Sequence, residues 1–124
     1  IRLEVFDTPG HTPGSIVLLD RKDRILFTGD TIIEQTWMQL RESMPMEVLL
    51  QSLDKVQKLR TEFDDVLTGH SRHIENASLC EAHRQAVWEV CQGKTENDER
   101  YTWFGGTCMA HPYGAEPRRI VYNK

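Results

Sequence analysis

The sequence predicts one mixed α/β domain, and three features of its hydrophobic pattern carry that prediction. Two short runs of β-branched residues and leucine, at 16–19 and 25–27, are joined by a polar turn at hairpin spacing. Two longer segments keep an apolar face at helical period. The predicted elements then follow one another as strand, hairpin, helix, strand, helix and strands, an order that fits a mixed α/β domain.

The predicted strands begin at the start of the chain. Residues 2–7 alternate weakly and end at a Pro-Gly turn, so we expect one strand there. The runs 16–19 and 25–27 are apolar without alternation, which predicts that both faces of their sheet are covered. Residues 65–68 form a further short strand between the two helices.

Both predicted helices have recognisable ends. The first begins near Pro45 and keeps its apolar face as far as Leu59. The second begins near Asn76, a good N-cap residue, and ends at Gly93, where a glycine can close the last turn.

The pattern loosens after the second helix. Residues 95–100 are charged and are predicted to form a loop. Residues 101–104 and 120–122 are predicted strands, separated by the Gly- and Pro-rich stretch 105–117.

Composition excludes several classes of function. The 124 residues carry a formal net charge of −4 and a pI near 5.7, so a nucleic-acid partner is not expected. No apolar run approaches the roughly 18 residues that a membrane span needs. The three cysteines do not form a disulfide framework, since Cys80 and Cys91 fall about 16 Å apart on one predicted helix. Reduced thiols in a cytoplasmic protein are the expectation. The start at Ile1, inside a predicted strand, indicates a fragment or a processed piece.

Three short segments each end an apolar run with a glycine and then a metal-competent side chain. Thr-Pro-Gly-His-Thr-Pro-Gly-Ser presents His11, Phe-Thr-Gly-Asp presents Asp30, and Leu-Thr-Gly-His presents His70. Each residue alone is explained equally well as an ordinary turn residue. Imidazole and carboxylate together suit zinc or iron, and a sheet can hold ligands rigidly at its strand ends. The conjunction of the three segments therefore favours a metal site.

These segments resemble the second half of the metallo-β-lactamase-fold hydrolases, over roughly residues 3–75. The resemblance implies an α/β fold that is half of an αββα sandwich, with one mixed sheet and about two main helices on its outer face. Residues 1–124 would be a single partial domain in which 94–124 form a subfamily-specific tail. The His-x-His-x-Asp-His run that precedes these segments in the family does not occur in this chain.

The resemblance also implies roles for the three residues. The histidine that matches His11 completes the first metal site, the aspartate that matches Asp30 bridges both metals, and the histidine that matches His70 binds the second. It implies two divalent ions per intact site, zinc by preference and iron or manganese as alternatives, with Asp30 as the catalytic residue. Such paired ions activate water against an acyl or phosphoryl centre. True β-lactamases of this fold generally do not have that bridging aspartate. The resemblance is therefore nearer to the glyoxalase II-like thioesterases, and it implies a thioester or other acyl ester as the small-molecule substrate.

Further residues are candidates for contact with that substrate. His73 lies three residues after His70, and His111 and Tyr113 lie in the tail; a plain loop or turn residue is the alternative for each. We predict that His83 lies at the surface or boundary of the second helix. The segment around Trp37 is expected to pack on other residues or to line a pocket.

Three functions remain open. Because three ligands fall short of the about seven of a complete dinuclear site, the chain is predicted to be an inactive piece of an enzyme. The alternative is a non-catalytic truncated module that acts through protein or ligand binding. A flavodiiron-type redox protein ranks third, since the residues after 94 are too few for a flavin domain. Without the other half, the inner sheet face would expose apolar surface, which predicts self-association or pairing with the missing N-terminal half.

Overall fold

Nine strands and two helices are formed by residues 1–114 and 118–123, the part of the chain that this computed structural model describes. The strands are β1 (Glu4–Asp7), β2 (Ile16–Asp20), β3 (Ile25–Gly29), β4 (Gln35–Met38), β5 (Asp65–Thr68), β6 (Glu75–Asn76), β7 (Glu99–Trp103), β8 (Gly106–Pro112) and β9 (Arg119–Tyr122). The helices are α1 (Met46–Gln57), which a 3-10 turn at Arg60–Glu62 follows, and α2 (Ser78–Cys91). Residues 115–117, the end of the predicted Gly- and Pro-rich stretch, lie outside the described residues, as does residue 124.

The first sheet has the strand order β1-β2-β3-β5-β6. Strands β1, β2 and β3 are antiparallel, and the pairing of Leu19 with Leu26 confirms the predicted hairpin. Strands β3 and β5 are parallel, and the connection between them carries β4 and α1. Because neighbouring parallel strands end at the same edge of a sheet, β3 and β5 deliver the residues that follow them to one place.

The second sheet has the order β4-β9-β8-β7. The expectation of one sheet in this chain is therefore wrong, whereas the α/β class with two main helices is confirmed. Strand β8 lies inside the stretch 105–117. Its Gly106 and Pro112 occupy the two ends of the strand, where neither residue interrupts the ladder. The predicted tail 94–124 supplies three of the four strands of this sheet.

Both predicted helices are confirmed, with small shifts at their ends. Pro45 occupies the N-cap of α1, and the helix ends at Gln57, ahead of Leu59. Ala77 occupies the N-cap of α2, and Asn76, one residue earlier, accepts a hydrogen bond from the Ser78 N–H at 2.8 Å through its carboxamide oxygen. Gly93 has a φ of +75°, the left-handed conformation with which helices commonly end.

One hydrophobic core joins both sheets to the two helices. One face of the first sheet presents Val17, Leu19, Leu26 and Val66, all fully buried, to the apolar faces of α1 and α2. From the second sheet, Ile120 and Tyr122 reach the same core. Burying a side chain of this size contributes about 1.5–3 kcal/mol, so these contacts fix how the two sheets are placed relative to the helices.

The opposite face of the first sheet is only partly covered. Val5, Leu18, Phe27 and Leu67 lie side by side across β1, β2, β3 and β5. Val5 is 60% exposed, and Leu3 and Ile16, which belong to the same face, are each 41% exposed. The prediction that both faces are covered therefore holds for one face in the described residues.

Neither helix in the described ranges has the length and apolar character needed to cross a bilayer.

Candidate metal centre

Asp30 stands between the two histidines that the sequence singles out. Its Oδ2 atom lies 3.7 Å from His11 Nε2, and its Oδ1 atom lies 3.4 Å from His70 Nε2. The structure thus brings together all three predicted metal ligands, which are 19 and 40 positions apart in the chain. Each imidazole faces a different oxygen of the one carboxylate.

The turn that carries His11 is held from outside by helix α1 and the segment before it. The Met44 N–H donates to the Gly10 carbonyl at 2.8 Å, and the Ser52 hydroxyl donates to the Pro9 carbonyl at 2.6 Å. These two hydrogen bonds restrict the backbone of the turn. The His11 side chain is 16% exposed, which leaves one edge of its ring open.

A backbone hydrogen bond sets the tautomer of His11. Its Nδ1 lies 2.6 Å from the Trp37 carbonyl oxygen. A carbonyl can only accept, so Nδ1 carries the hydrogen, and Nε2 of the neutral ring is left as an acceptor. That acceptor faces the Asp30 carboxylate, which is also an acceptor. Two facing acceptors repel unless a proton or a cation lies between them, and metal-binding histidines are commonly oriented by such a bond to a carbonyl.

Glycines allow the Asp30 and His70 segments to approach each other. The Gly69 N–H donates to the Gly29 carbonyl at 2.8 Å. A Cβ atom at Gly69 would lie 2.8 Å from Asp30 Oδ1 and 3.0 Å from that carbonyl oxygen. Gly29 itself has a φ of +52°, which side chains other than glycine rarely adopt. The two glycines that precede the acidic residue and the second histidine are thus required by close packing and by backbone conformation.

The loop after Asp30 is anchored in the core through one carbonyl. The Ile33 carbonyl accepts hydrogen bonds from the hydroxyls of Thr36 and Tyr113. His83 Nε2 lies 2.9 Å from the Thr36 hydroxyl oxygen, and because that hydroxyl already donates to Ile33, His83 is the donor. The loop that presents Asp30 therefore rests on a chain of buried polar groups.

The prediction that His83 lies at the surface is wrong. His83 is fully buried, and desolvation lowers its pKa to about 3, so the ring is neutral. Its Nδ1, the acceptor of this tautomer, has no hydrogen-bond partner among the described residues. Sequence periodicity places His83 one position from the apolar face. Its burial comes from tertiary contacts, which include the Thr36 hydroxyl of β4 and the Tyr113 ring.

The three predicted substrate-contact residues differ in their surroundings. His73 is exposed in a turn closed by Ser71. His111 is buried, with Nδ1 2.6 Å from Asp98 and Nε2 2.8 Å from Glu89. The hydrogen bond from His111 holds the pKa of Glu89 below its usual value.

Tyr113 is also buried, and its hydroxyl is hydrogen-bonded within the protein. It is 4% exposed and supports the Ile33 carbonyl. His111 and Tyr113 are not among the residues that line the pocket beside Asp30, and their polar atoms are hydrogen-bonded to other protein groups. Contact of His73, His111 or Tyr113 with a substrate stays a prediction.

A pocket of about 430 Å³ opens beside the three metal-competent residues. Its lining consists of His11, Asp30, His70, Ile33, Gln35, Trp37 and Leu40. The volume falls in the range usual for small-molecule sites. Gln35 and Trp37 alternate on β4 and so face the same side. Sequence reasoning named the segment 35–39 as one that packs on other residues or lines a pocket, and both of these pocket residues belong to it. A larger depression of about 620 Å³ lies near Ile1 and Arg21, among charged surface residues, away from the three candidate ligands.

Each histidine fits a metal together with Asp30, although the trio does not make a closed site. Two ligands about 2.0–2.1 Å from one zinc ion lie about 3.4 Å apart at a tetrahedral angle, close to the 3.4 and 3.7 Å observed. In the described part of the chain, no group of three or more His, Cys, Asp or Glu side chains could hold a metal ion. The described residues therefore offer two His–Asp30 pairs and no set of three or more side chains for one metal ion.

The family of the chain follows from its first part. The model of the metallo-β-lactamase superfamily matches residues 1–70, more than half of the chain and all three of the segments described above. The chain belongs to the metallo-β-lactamase superfamily. The resemblance read from the sequence is thereby confirmed at the level of the superfamily.

Solved structures agree on the fold of this superfamily member. A metallo-β-lactamase from Pontibacter korlensis is 19% identical with a TM-score of 0.57, and the match covers 69% of this chain and 41% of that one. The metallo-β-lactamase FIM-1 from Pseudomonas aeruginosa is 22% identical with a TM-score of 0.60, and the match covers 71% of this chain and 40% of that one. BLEG-1, a B3 metallo-β-lactamase, is 27% identical with a TM-score of 0.54, and the match covers 68% of this chain and 41% of that one. The chain thus has a partial metallo-β-lactamase fold and spans about two fifths of these structures.

One relative among curated proteins carries a description other than that of a metallo-β-lactamase. A putative transcription factor, avaE of Aspergillus versicolor, is 24% identical over 103 residues, which cover 76% of this chain and 31% of that protein. The chain therefore spans less than a third of this relative. The superfamily fold is consistent with a metal-dependent hydrolase.

Proposed function

We propose that this chain forms part of a metal-dependent hydrolase that uses two zinc ions to cleave a thioester or another acyl ester. The observation that carries the proposal is the carboxylate of Asp30, which offers a separate oxygen to His11 and to His70. A carboxylate in that position can be shared by two cations, and its negative charge offsets part of theirs. Iron or manganese are the alternative ions, since imidazole and carboxylate also suit them.

The residues of the chain have distinct tasks in this proposal. His11 presents a fixed Nε2 acceptor because its Nδ1–H is held by the Trp37 carbonyl. Asp30 would bridge, and His70, 81% exposed, would complete the second pair from the rim. When bound, the metal pair supplies an activated water and polarises the acyl oxygen. Ile33, Trp37 and Leu40 give the pocket an apolar wall for the acyl group.

The remaining ligands would come from an N-terminal half that carries the His-x-His-x-Asp-His segment of the resemblance. In this proposal the chain alone is inactive, because each ion would have only two of its protein ligands. Cytoplasmic location is also part of the proposal. It is supported by the three free cysteines, which are typical of reducing compartments.

Hydrolysis tests the proposal directly. The chain should be assayed alone and joined to an N-terminal half that carries the missing histidines, with S-acetyl-N-acetylcysteamine and with the β-lactam nitrocefin. We expect thiol release from the joined protein after zinc is added, no turnover by the chain alone, and at least about tenfold lower kcat/KM for nitrocefin, a difference of about 1.4 kcal/mol in barrier. Faster cleavage of nitrocefin would overturn the acyl-ester assignment, and metal-independent cleavage would overturn the metal chemistry.

The second candidate function is a non-catalytic module, and the exposed apolar face of the first sheet favours it. That face would be covered by a second copy of the chain or by the N-terminal half. We expect the purified chain to elute as a dimer in size-exclusion chromatography with light scattering, because Val5, Leu3 and Ile16 leave apolar surface in water.

Val5→Glu should shift that chain to monomer, because it places a charge on the face. Ile74→Glu is the matched control: Ile74 is 61% exposed, against 60% for Val5, but it lies in the loop before β6. A wild-type monomer, or equal effects of the two substitutions, would contradict association through this face.

A further inference from the structure

Four aromatic side chains gather on one face of the second sheet and at the tip of its β7–β8 hairpin. The Trp37 ring lies 5.4 Å from Trp103, 6.1 Å from Phe104 and 6.4 Å from Tyr101, measured between ring centroids. Trp103 and Phe104 are 4.9 Å apart. Trp103 and Tyr101 meet Trp37 at steep interplanar angles of 63° and 72°, the edge-to-face arrangement that aromatic rings prefer. We refer to Trp37, Tyr101, Trp103 and Phe104 as the aromatic wall.

Strand β4 connects the aromatic wall to the metal centre. Trp37 both lines the pocket and accepts the His11 Nδ1–H with its carbonyl. Gln35, two residues earlier, lines the pocket and accepts a hydrogen bond from the Tyr101 hydroxyl at 3.2 Å. A group bound against Trp37 would therefore lie next to His11 and Asp30.

Phe104 stands at the tip of the β7–β8 hairpin with nothing to bury it. It is 91% exposed, although the core accommodates most other large apolar side chains of the described residues. The tip is tightly packed: a Cβ atom at Gly105 would lie 2.4 Å from the Trp103 ring. An exposed apolar side chain on a well-packed turn, beside a pocket, is typical of a binding surface.

We propose that the aromatic wall binds a planar aromatic group of the substrate, with Trp37 as the contact surface and Phe104 as the rim. The proposal rests on the proposed hydrolase function in one respect, which is the position of the scissile carbonyl beside the metal centre. A flat ring can add to an edge-to-face cluster in the way its own members do, whereas a saturated ring of equal size gains burial alone. Apart from the three metal-competent residues, the pocket lining consists of Gln35 and of Ile33, Trp37 and Leu40, which favour an apolar ring over a highly polar group.

The test measures binding without turnover. The chain is labelled with ¹⁵N at its tryptophan indoles and titrated with 2-naphthamide, a neutral probe that the Asp30 carboxylate does not repel. The Trp37 and Trp103 N–H signals should shift and saturate. Trp88 serves as the internal reference, because it lies on α2 beneath Lys94, 4.8 Å from its ammonium. Equal shifts of all three signals, or none, would overturn the location.

Variants and a second probe test the chemistry. Phe104→Ala should raise the Kd for 2-naphthamide about fivefold, while Val5→Ala, an exposed apolar residue of the other sheet, should leave it unchanged. Cyclohexanecarboxamide should bind about fivefold more weakly than the planar probe; equal binding would overturn the preference for an aromatic ring. Because 2-naphthamide is titrated without added zinc, its response does not depend on whether the chain binds metal. Failure of the hydrolase proposal and failure of this one are thereby distinguished.

Discussion

Asp30→Asn should abolish zinc binding by the chain. The amide keeps the size of the side chain but loses the negative charge, and it turns one of the two oxygens that face His11 and His70 into an N–H donor that cannot bind a cation. Losing a partner that only orients a ligand costs about 10–100-fold in metal affinity, so losing the shared ligand should cost more than about 100-fold. Titration calorimetry with zinc, followed by elemental mass spectrometry after dialysis, measures the loss.

Thermal unfolding gives a second readout of the same variant. Zinc at about 100 times its Kd stabilises a folded chain by about 2.7 kcal/mol, so the zinc-dependent rise in Tm should vanish in Asp30→Asn and in His11→Ala. Asp23→Asn is the matched control, since Asp23 is exposed in the turn between β2 and β3. If Asp30→Asn kept its zinc while Asp23→Asn lost it, the metal centre would not be at Asp30.

Gly10→Ala should destabilise the chain by about 1–3 kcal/mol, the usual cost of an extra methyl group in a well-packed region. A Cβ atom at Gly10 would lie 2.8 Å from Leu49 Cδ1, 2.9 Å from its Cβ and 3.1 Å from its Cα. The first contact can be relieved by a rotation of the Leu49 side chain. The other two require helix α1 or the His11 turn to move, so zinc affinity should fall as well.

Gly14→Ala provides the comparison within the same turn. Nothing lies within 4 Å of a Cβ at Gly14, and its φ is not in the left-handed region. Its free energy of unfolding, from urea denaturation, should change by less than about 0.5 kcal/mol. Equal destabilisation by the two alanines would mean that the turn needs flexible glycines rather than close contact with α1.

Local sequence was sufficient for the three candidate ligands and for the main elements. His11, Asp30 and His70 each follow a glycine at the end of an apolar run, and a turn at a strand end is a local property. The helices could be predicted for the same reason, since caps and periodicity lie within each segment. The seven-residue strand β8 could not be predicted from the sequence, because the glycines and prolines at and beyond its ends are typical of a loop.

The burial of His83, His111 and Tyr113 could not be predicted, because it depends on contacts between distant segments of the chain. His83 and Tyr113 are buried because they meet the β4 segment, through Thr36 and the Ile33 carbonyl, 47 and 80 positions away along the chain. His111 is held by Asp98 and Glu89, one on the loop before β7 and the other on α2. No pattern within one segment shows which distant carboxylate a histidine will meet.

The sequence by itself determined the superfamily resemblance and which side chains are competent to bind a metal, because both depend on short motifs and their order. Only the tertiary structure decided that Asp30 gives one oxygen to each histidine, and that β4 links Trp37 to His11. Those facts depend on the parallel pairing of β3 with β5 and on a hydrogen bond across 26 positions. Such contacts form when separate segments pack together, so they follow from the fold rather than from any one stretch of residues.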